Sequence, residues 1–365
     1  MKKYVTLGEV CSKGSSNIAQ KDIEHNNGSY GIYGASGYIK DVDFYHQDKP
    51  YIAVVKDGAG IGRTMLLPEK TSVIGTMQYL IPNDLILVRY LYYAVTYMNL
   101  GKYFTGATIP HIYFKDYQKE KLPLPTIEEQ LVITNNLEKV DRLIELCTTT
   151  LEKLDLLVKS RFVEMFGDPE ANNCTYATTK LKELSVKISD GVHAKPEYTE
   201  TGRPFLSVVN INRKKVDFTD CKFVSEDAFK KMIKSTHPEK GDVLYTKVGA
   251  TYGIPAYVDT DTEFCLYVSV CLIKPKHEFI NSKFLAIQMD MPFVKHQADK
   301  RIKGIGVPDL HLNQISEFDI VCPPRELQDS FVAFVEQTDK SKLAVKQVLE
   351  KTETLKKALM QEYFG

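Results

Sequence analysis

Two stretches of this chain place apolar residues at the alternating three- and four-residue steps of a coiled-coil seam. The first seam runs through Ile133, Leu137, Val140, Ile144, Cys147, Leu151, Leu154, Val158 and Met165, and breaks only where Arg161 would come next. Thr126, followed three residues later by Glu129, forms a capping box that satisfies the orphan amides of a helix start. Pro123 and Pro125 stop any upstream element from running through, and Gly167 with Pro169 supplies the stop. The pattern predicts one helix over 126–167, about 60 Å long. The second seam runs through Phe331, Val335, Val345, Leu349, Thr352, Leu355, Leu359 and Tyr363. It is weaker, because Lys342 sits where an apolar residue is called for. Its start at Pro324-Arg325-Glu326-Leu327 lacks a capping box, although proline suits the first helical position. One such helix alone fits equally well lying on its own domain. Two of equal length, each following a globular stretch, favour pairing with each other.

The two helices belong to a longer repeat. Residues 109–167 recur at 307–365 without a gap, and both copies end in Phe-Gly, at 166–167 and 364–365. Such a repeat states the building plan before any motif does. The globular stretches read as mixed α and β. YIAVVKDGAGIG and TMQYLIP predict strands in the first and DLILVRYLYYAVTYM a helix; GDVLYTKVGATYG, YVSVCLIKP and NSKFLAIQMD are their counterparts. The openings TLGEV (6–10) and KLKEL (180–184) also align. The expected fold is therefore α+β. It has two similar globular domains, each followed by a long helix, with the two helices paired. The boundaries read 1–125 for the first domain, 126–167 for the central helix, 168–323 for the second domain and 324–365 for the C-terminal helix.

Composition narrows the classes. A length of 365 residues suits two domains, and 43% hydrophobic with 26% charged residues is ordinary for a folded protein. No run of about twenty apolar residues is present, so no membrane span is expected. The start MKKYVTLGEV shows no apolar core of a secretory leader. Seven cysteines without a CxxC pair argue against a disulfide framework or zinc ribbon and fit reduced cytoplasmic thiols. Net charge is zero, with 47 basic and 47 acidic side chains. A contact with nucleic acid would therefore have to come from local patches. Residues 1–125 are mildly basic, with 14 basic and 11 acidic groups, whereas 126–167 carry 5 and 8.

The motifs of common enzymes are missing. The chain has no GxxxxGK[ST] loop, HExxH or GxSxG, and Gly58-Ala59-Gly60-Ile61-Gly62 fits a tight turn better than a dinucleotide site. Cys322-Pro323-Pro324-Arg325 lacks the amide and the aromatic residue of amino-methyltransferases. His111 and His311 fit loop or core positions better than a metal site. What remains suits the reading of a polymer. Glycine lets backbone approach a duplex closely, while Tyr, Ser, Asn and basic residues supply groups for base edges and phosphates. In the first domain the candidates are Tyr30, Tyr33, Ser36, Lys56, Arg63 and Thr105. In the second they are His193, Lys195, Asn210, Asn212, Arg213, Lys247 and Lys303. Taken singly, the tyrosines fit a hairpin packed on a sheet and Arg213-Lys214-Lys215 fits a solvated loop. Their weight comes from appearing at equivalent places twice.

These residues together resemble the specificity subunits of type I restriction-modification systems. The resemblance covers the whole chain. It rests on the domain-helix-domain-helix layout, the helix starts LPLPTIEEQ and CPPRELQ, and the FG ends. It also rests on GIYGASGYI with GTMQYLIP, and on DGVHAKPEYTETGRPFLSVVNI. It implies that the two helices pair as an antiparallel coiled coil with internal pseudo-twofold symmetry, and that each domain is a target recognition domain reading half of an asymmetric bipartite site in double-stranded DNA. The helix pair would set the spacer and dock two modification subunits, with restriction subunits joining the full complex. The chain would then be no enzyme and hold no cofactor or metal. S-adenosylmethionine, ATP and magnesium would be used by the partner subunits, in the cytoplasm. The missing second capping box and Lys342 depart from the family's repeat. Two other readings stay open: a coiled-coil scaffold with two protein-binding domains, and an enzyme of unrecognised type.

Overall fold

The apolar runs of the first globular stretch become seven principal strands. They are β1 (Cys11–Ser15), β2 (Tyr30–Gly34), β3 (Gly37–Val42), β4 (Tyr51–Val55), β5 (Thr64–Leu67), β6 (Ser72–Val73) and β7 (Met77–Pro82). They form an antiparallel sheet in the order β1-β7-β4-β5 and a smaller sheet β3-β2-β6, whose first pair is antiparallel and second parallel. Every residue of β4 is buried, which explains why its sequence shows an unbroken apolar run instead of alternation. The computed structural model describes residues 3–105, 110–171, 173–212, 215–302 and 306–365, with Asn212 described by its backbone alone.

The second globular stretch repeats the plan strand for strand. The corresponding strands are β8 (Ser185–Asp190), β9 (Arg203–Leu206), β10 (Lys222–Val224), β11 (Val243–Thr246), β12 (Pro255–Tyr257), β13 (Cys265–Leu266) and β14 (Val270–Pro275). The orders β8-β14-β11-β12 and β10-β9-β13 are those of the first set shifted by seven. The register repeats as well. Ile52 pairs with Leu80 on one side and Leu66 on the other, and Leu244 pairs with Leu272 and Ala256. Both stretches also close with a short antiparallel pair, Tyr4–Thr6 with Lys121–Pro123 and Thr178–Lys180 with Asp319–Val321.

Five helices matter here: α1 (Val88–Met98), α2 (Ile127–Phe166), α3 (Ser282–Met289), α4 (Pro292–Arg301) and α5 (Arg325–Phe364). The long ones, α2 and α5, have 40 residues each. Two units result, and each contains part of both long helices: Met1–Thr150 with Val345–Gly365, and Leu151–Ala344. Within the first unit, Asn136 donates to Tyr363 at 3.3 Å and Asp141 pairs with Lys356 at 2.6 Å. Within the second, Asp155 pairs with Lys342 at 2.8 Å, and the ring centroids of Phe166 and Phe331 lie 5.5 Å apart. As numbers rise along α2 the partners' numbers fall, so the pairing in each unit is antiparallel. Among the described residues, no helix is long and apolar enough to cross a membrane.

The structure corrects the expected seams at three points. The break at Arg161 is filled by Phe162, which is buried, while the Arg161 guanidinium lies 5.9 Å from the centre of the Phe334 ring. Leu355 is 49% exposed; one residue on, Lys356 takes the seam position and carries its ammonium to Asp141. A lysine stem can cover apolar surface while its charge reaches a partner. Finally, Lys342 does not interrupt α5. Burial opposes its charge, but Asp155 and Asp339 more than compensate and hold its pKa above the ordinary lysine value. With buried Thr338 and Thr352 donating to the Phe334 and Val348 carbonyls one turn back, the alternation of steps in α5 is continuous.

One polar device recurs in both units. Gln130, in the first turn of α2, is fully buried: its Oε1 accepts from Leu87 N at 2.8 Å and its Nε2 reaches the Leu85 and Pro125 carbonyls at 3.1 Å. Gln328 in α5 does the same, accepting from Asn281 N at 2.8 Å and donating to the Phe279 and Pro323 carbonyls. Leu87 and Asn281 are the N-caps of α1 and α3, so each glutamine ties a long helix to its unit. Gln328→Leu is expected to lower stability by about 1–3 kcal/mol, because backbone groups lose buried partners. Urea denaturation of the full chain reads this directly.

Candidate nucleic-acid interface

In each unit the turn after the central strand is glycine-rich, because its geometry requires it. Gly58 and Gly249 have φ values of 90° and 91°, a region that side-chain-bearing residues avoid. The turns are Lys56–Gly62 after β4 and Lys247–Gly253 after β11. Each is bonded to the segment before the long helix. Gly58 N donates to Pro110 O at 3.0 Å and Ile112 N to Lys56 O at 2.9 Å. In the second unit Gly249 N donates to Pro308 O and Leu310 N to Lys247 O, both at 2.9 Å.

The side chains on this shared frame differ. In the first unit Lys56 pairs with Asp57 at 2.8 Å, and Asp57 accepts from His111 Nδ1 at 2.6 Å. Partial burial works against the Asp57 charge, but the bonds from Lys56 and His111 prevail and hold its carboxyl below the ordinary range. The imidazole stacks beside Tyr113, centroids 6.3 Å apart. A cleft of about 510 Å³ opens here, lined among others by Lys13, Asn17, Lys56, Tyr113 and Lys115. In the second unit Lys247 is only 5% exposed and lies between two carboxylates, Asp190 at 3.5 Å and Asp309 at 3.6 Å. Asp190 is also 3.5 Å from His193 Nε2.

The first-unit candidates fall on one connected structure. Tyr30 packs edge-on against Tyr45 at 4.8 Å, and Tyr33 against Tyr38 at 5.8 Å, so both are half-buried in the β2–β3 hairpin. Ser36 is exposed in the hairpin turn. Arg63 leaves the glycine turn and donates from Nη1 to Ala35 O at 3.0 Å, which braces the turn that presents Ser36. Thr105 exchanges two backbone bonds of 2.8 Å with His111. Lys56 completes the set through Asp57.

The second-unit candidates are more scattered. His193 is exposed beside Asp190. Lys195 is exposed, with its ammonium 5.8 Å from the centre of the Tyr198 ring. Lys247 is buried in its carboxylate pair instead of facing outward. Asn210 is buried and its amide is used in the fold: Oδ1 accepts from Ser207 N at 3.0 Å and Nδ2 donates to Asp217 O at 3.2 Å. Asn212 lies in the short strand Ile211–Asn212. Arg213 and Lys303 lie outside the described residues. Among the described residues no group of three or more His, Cys, Asp or Glu is placed to hold a metal ion.

The sequence did not single out Asp57, His111, Tyr113, Asp190 or Asp309 as site residues. The available signal was the repeat itself, which places His111 and Asp309 at equivalent positions.

Residues 2–156 and 174–356 match the type I restriction modification DNA specificity domain. The chain is 25% identical over 333 residues to the type I restriction enzyme MjaVIII specificity subunit of Methanocaldococcus jannaschii, covering 85% of this chain and 77% of that protein. It is 24% identical to the MjaIX specificity subunit of the same organism over 70% of this chain, and the match spans 63% of that protein. Its fold is similar to the crystal structure of a type I restriction-modification S subunit from M. genitalium, with a TM-score of 0.62 at 18% identity, covering 100% of this chain and 96% of the other.

Proposed function

The chain belongs to the family of type I restriction-modification DNA specificity subunits, and from that premise we propose that each of its two domains reads one half of an asymmetric bipartite site in double-stranded DNA. The observation that carries this reading is the strand-for-strand repeat of one seven-strand plan with different side chains on equivalent loops. One frame with two sets of loops suits two different half-sites. In the first unit the reading surface is the hairpin turn at Ser36, the Lys56–Gly62 turn and the segment around His111 and Tyr113. Tyr30, Tyr33, Arg63 and Thr105 position it. In the second, His193 and Lys195 face outward, Asn210 and Lys247 position the loops around them, and Arg213 and Lys303 stay DNA-binding candidates.

The paired helices set the gap between half-sites and dock two modification subunits. The support is on α2. Within the first unit, Val132, Leu143 and Leu146 are all exposed, and their spacings of eleven and three keep them on one helical face. An exposed apolar stripe of this kind fits a partner surface. Catalysis then belongs to other polypeptides: methyl transfer from S-adenosylmethionine on the modification subunits, and cleavage with ATP and magnesium on restriction subunits, all in the cytoplasm. Near-zero net charge fits a chain whose partners supply much of the phosphate-binding surface.

The test is to co-purify the tagged full chain from cells carrying candidate modification subunits and then measure DNA binding with and without them. The expected result is recovery of a methyltransferase subunit and a bipartite preference seen only in the assembly. The chain alone should bind weakly, with affinity falling steeply as salt rises. Recovery of unrelated proteins, with no DNA preference in any assembly, would support a scaffold instead.

A further inference from the structure

Positions 111 and 309 are equivalent in the repeat, and the fold holds them by the same bonds. Each follows a proline whose carbonyl accepts from a positive-φ glycine of the neighbouring turn, Gly58 or Gly249. Each precedes a residue whose N–H donates to the carbonyl of the turn's lysine, Lys56 or Lys247. Each forms an isolated antiparallel bridge with the residue after that lysine, Asp57↔His111 and Val248↔Asp309. The backbone place is therefore fixed, and only the side chain changes.

Both side chains are anchored at one end and open at the other. His111 donates Nδ1–H to Asp57, its side chain is 39% exposed, and Nε2 is the ring nitrogen that this bond does not use. Asp309 has one oxygen 3.6 Å from the buried Lys247 ammonium, and its side chain is 45% exposed. An anchored group with one free polar atom is well suited to reading a base edge, since anchoring removes the freedom that binding would otherwise have to remove. The chemistry of the free atom sets what is read. A carboxylate only accepts, and in the major groove the donors are the exocyclic amines of cytosine and adenine. Carbonyl edges of guanine and thymine would meet it with repulsion.

Resting on the function proposed above, we propose that residues 111 and 309 are the paired specificity-determining positions of the two domains, Asp309 reading the exocyclic amine of a cytosine or adenine and His111 reading one base of the other half-site through Nε2. Asp57 and Lys247 act as positioning residues, holding the readers without touching the base.

The test uses the full chain assembled with its modification subunits and a panel of duplexes that varies the recognised site one base pair at a time. D309N keeps the side chain's size and adds a donor. It is expected to cut discrimination about tenfold at a single base pair of one half-site, to admit a carbonyl-bearing base there, and to leave the other half-site unchanged. H111Q is expected to do the same at one position of the opposite half-site only, and it carries the test if D309N fails to assemble. Uniform weakening across all duplexes, or unchanged preference at every position, overturns the inference while leaving bipartite reading intact. A wild-type assembly that reads no bipartite site overturns the function proposed above, and this inference with it.

Discussion

Phe162→Ala is expected to destabilise the chain by about 3–5 kcal/mol, the upper range for truncating a buried aromatic side chain. Phe162 is 1% exposed, and its ring lies within 5.0–6.3 Å of four others: Phe166 at 5.0 Å, Phe331 at 5.6 Å, Phe293 at 5.8 Å and Phe284 at 6.3 Å. These rings come from α2, α3, α4 and α5, so one side chain joins both long helices to the second unit's globular part. Removing it leaves a cavity that the surrounding aromatic rings can refill only by leaving their own packing. The neighbouring Val163, exposed on the same helix, is the control; Val163→Ala should stay within about 0.5 kcal/mol of wild type. Denaturant melts of the full chain at matched concentration measure both. A loss at Phe162 no larger than that at Val163 would show that the long helices are not locked together through this cluster.

The second large effect concerns function. If the helix pair sets the gap, lengthening it changes the DNA site without changing either half. Inserting about one helical turn after Leu151, matched by one turn after Lys346 in α5 to preserve the facing register, adds about 6 Å. At about 3.4 Å per base pair this lengthens the spacer by about two base pairs. The assembly should lose most of its binding to the original site and recover it on the longer one, with both half-site sequences retained. An insertion in α2 alone would also slide Asp155 past Lys342, so the matched design separates length from register. Retention of the original spacing would refute the ruler role.

The parts that could be read from the sequence share a physical reason. The long helices declare themselves because a seam of forty residues repeats the same steps many times, and strands β4, β7, β11 and β14 because they are buried apolar runs. Strands β6 and β13 have two residues each, too few for any periodicity to register. Helix α4 is hidden in the sequence: it starts at Pro292 and, among its ten residues, Phe293, Val294 and Ala298 are the buried ones, so PFVKHQADKR shows little amphipathic signal. At the site, local chemistry was a weaker guide than the repeat. Asn210 has the look of a reader but spends its amide on a turn, and Lys247 has the look of a surface cation but is buried by its two carboxylates. Gln130 and Gln328 carry no mark of burial in the sequence, yet they close both units. Partners distant in sequence decide each of these cases, and spacing along the chain does not reveal them.

The most direct measurement is long-read sequencing of modified adenines in DNA from cells that express this chain with its modification subunits. One asymmetric motif is expected, two short unlike halves separated by a fixed unspecified gap, and it should vanish when this chain is removed. A continuous or palindromic motif, or modification that persists without the chain, would contradict the view of two unlike readers held on one helical strut.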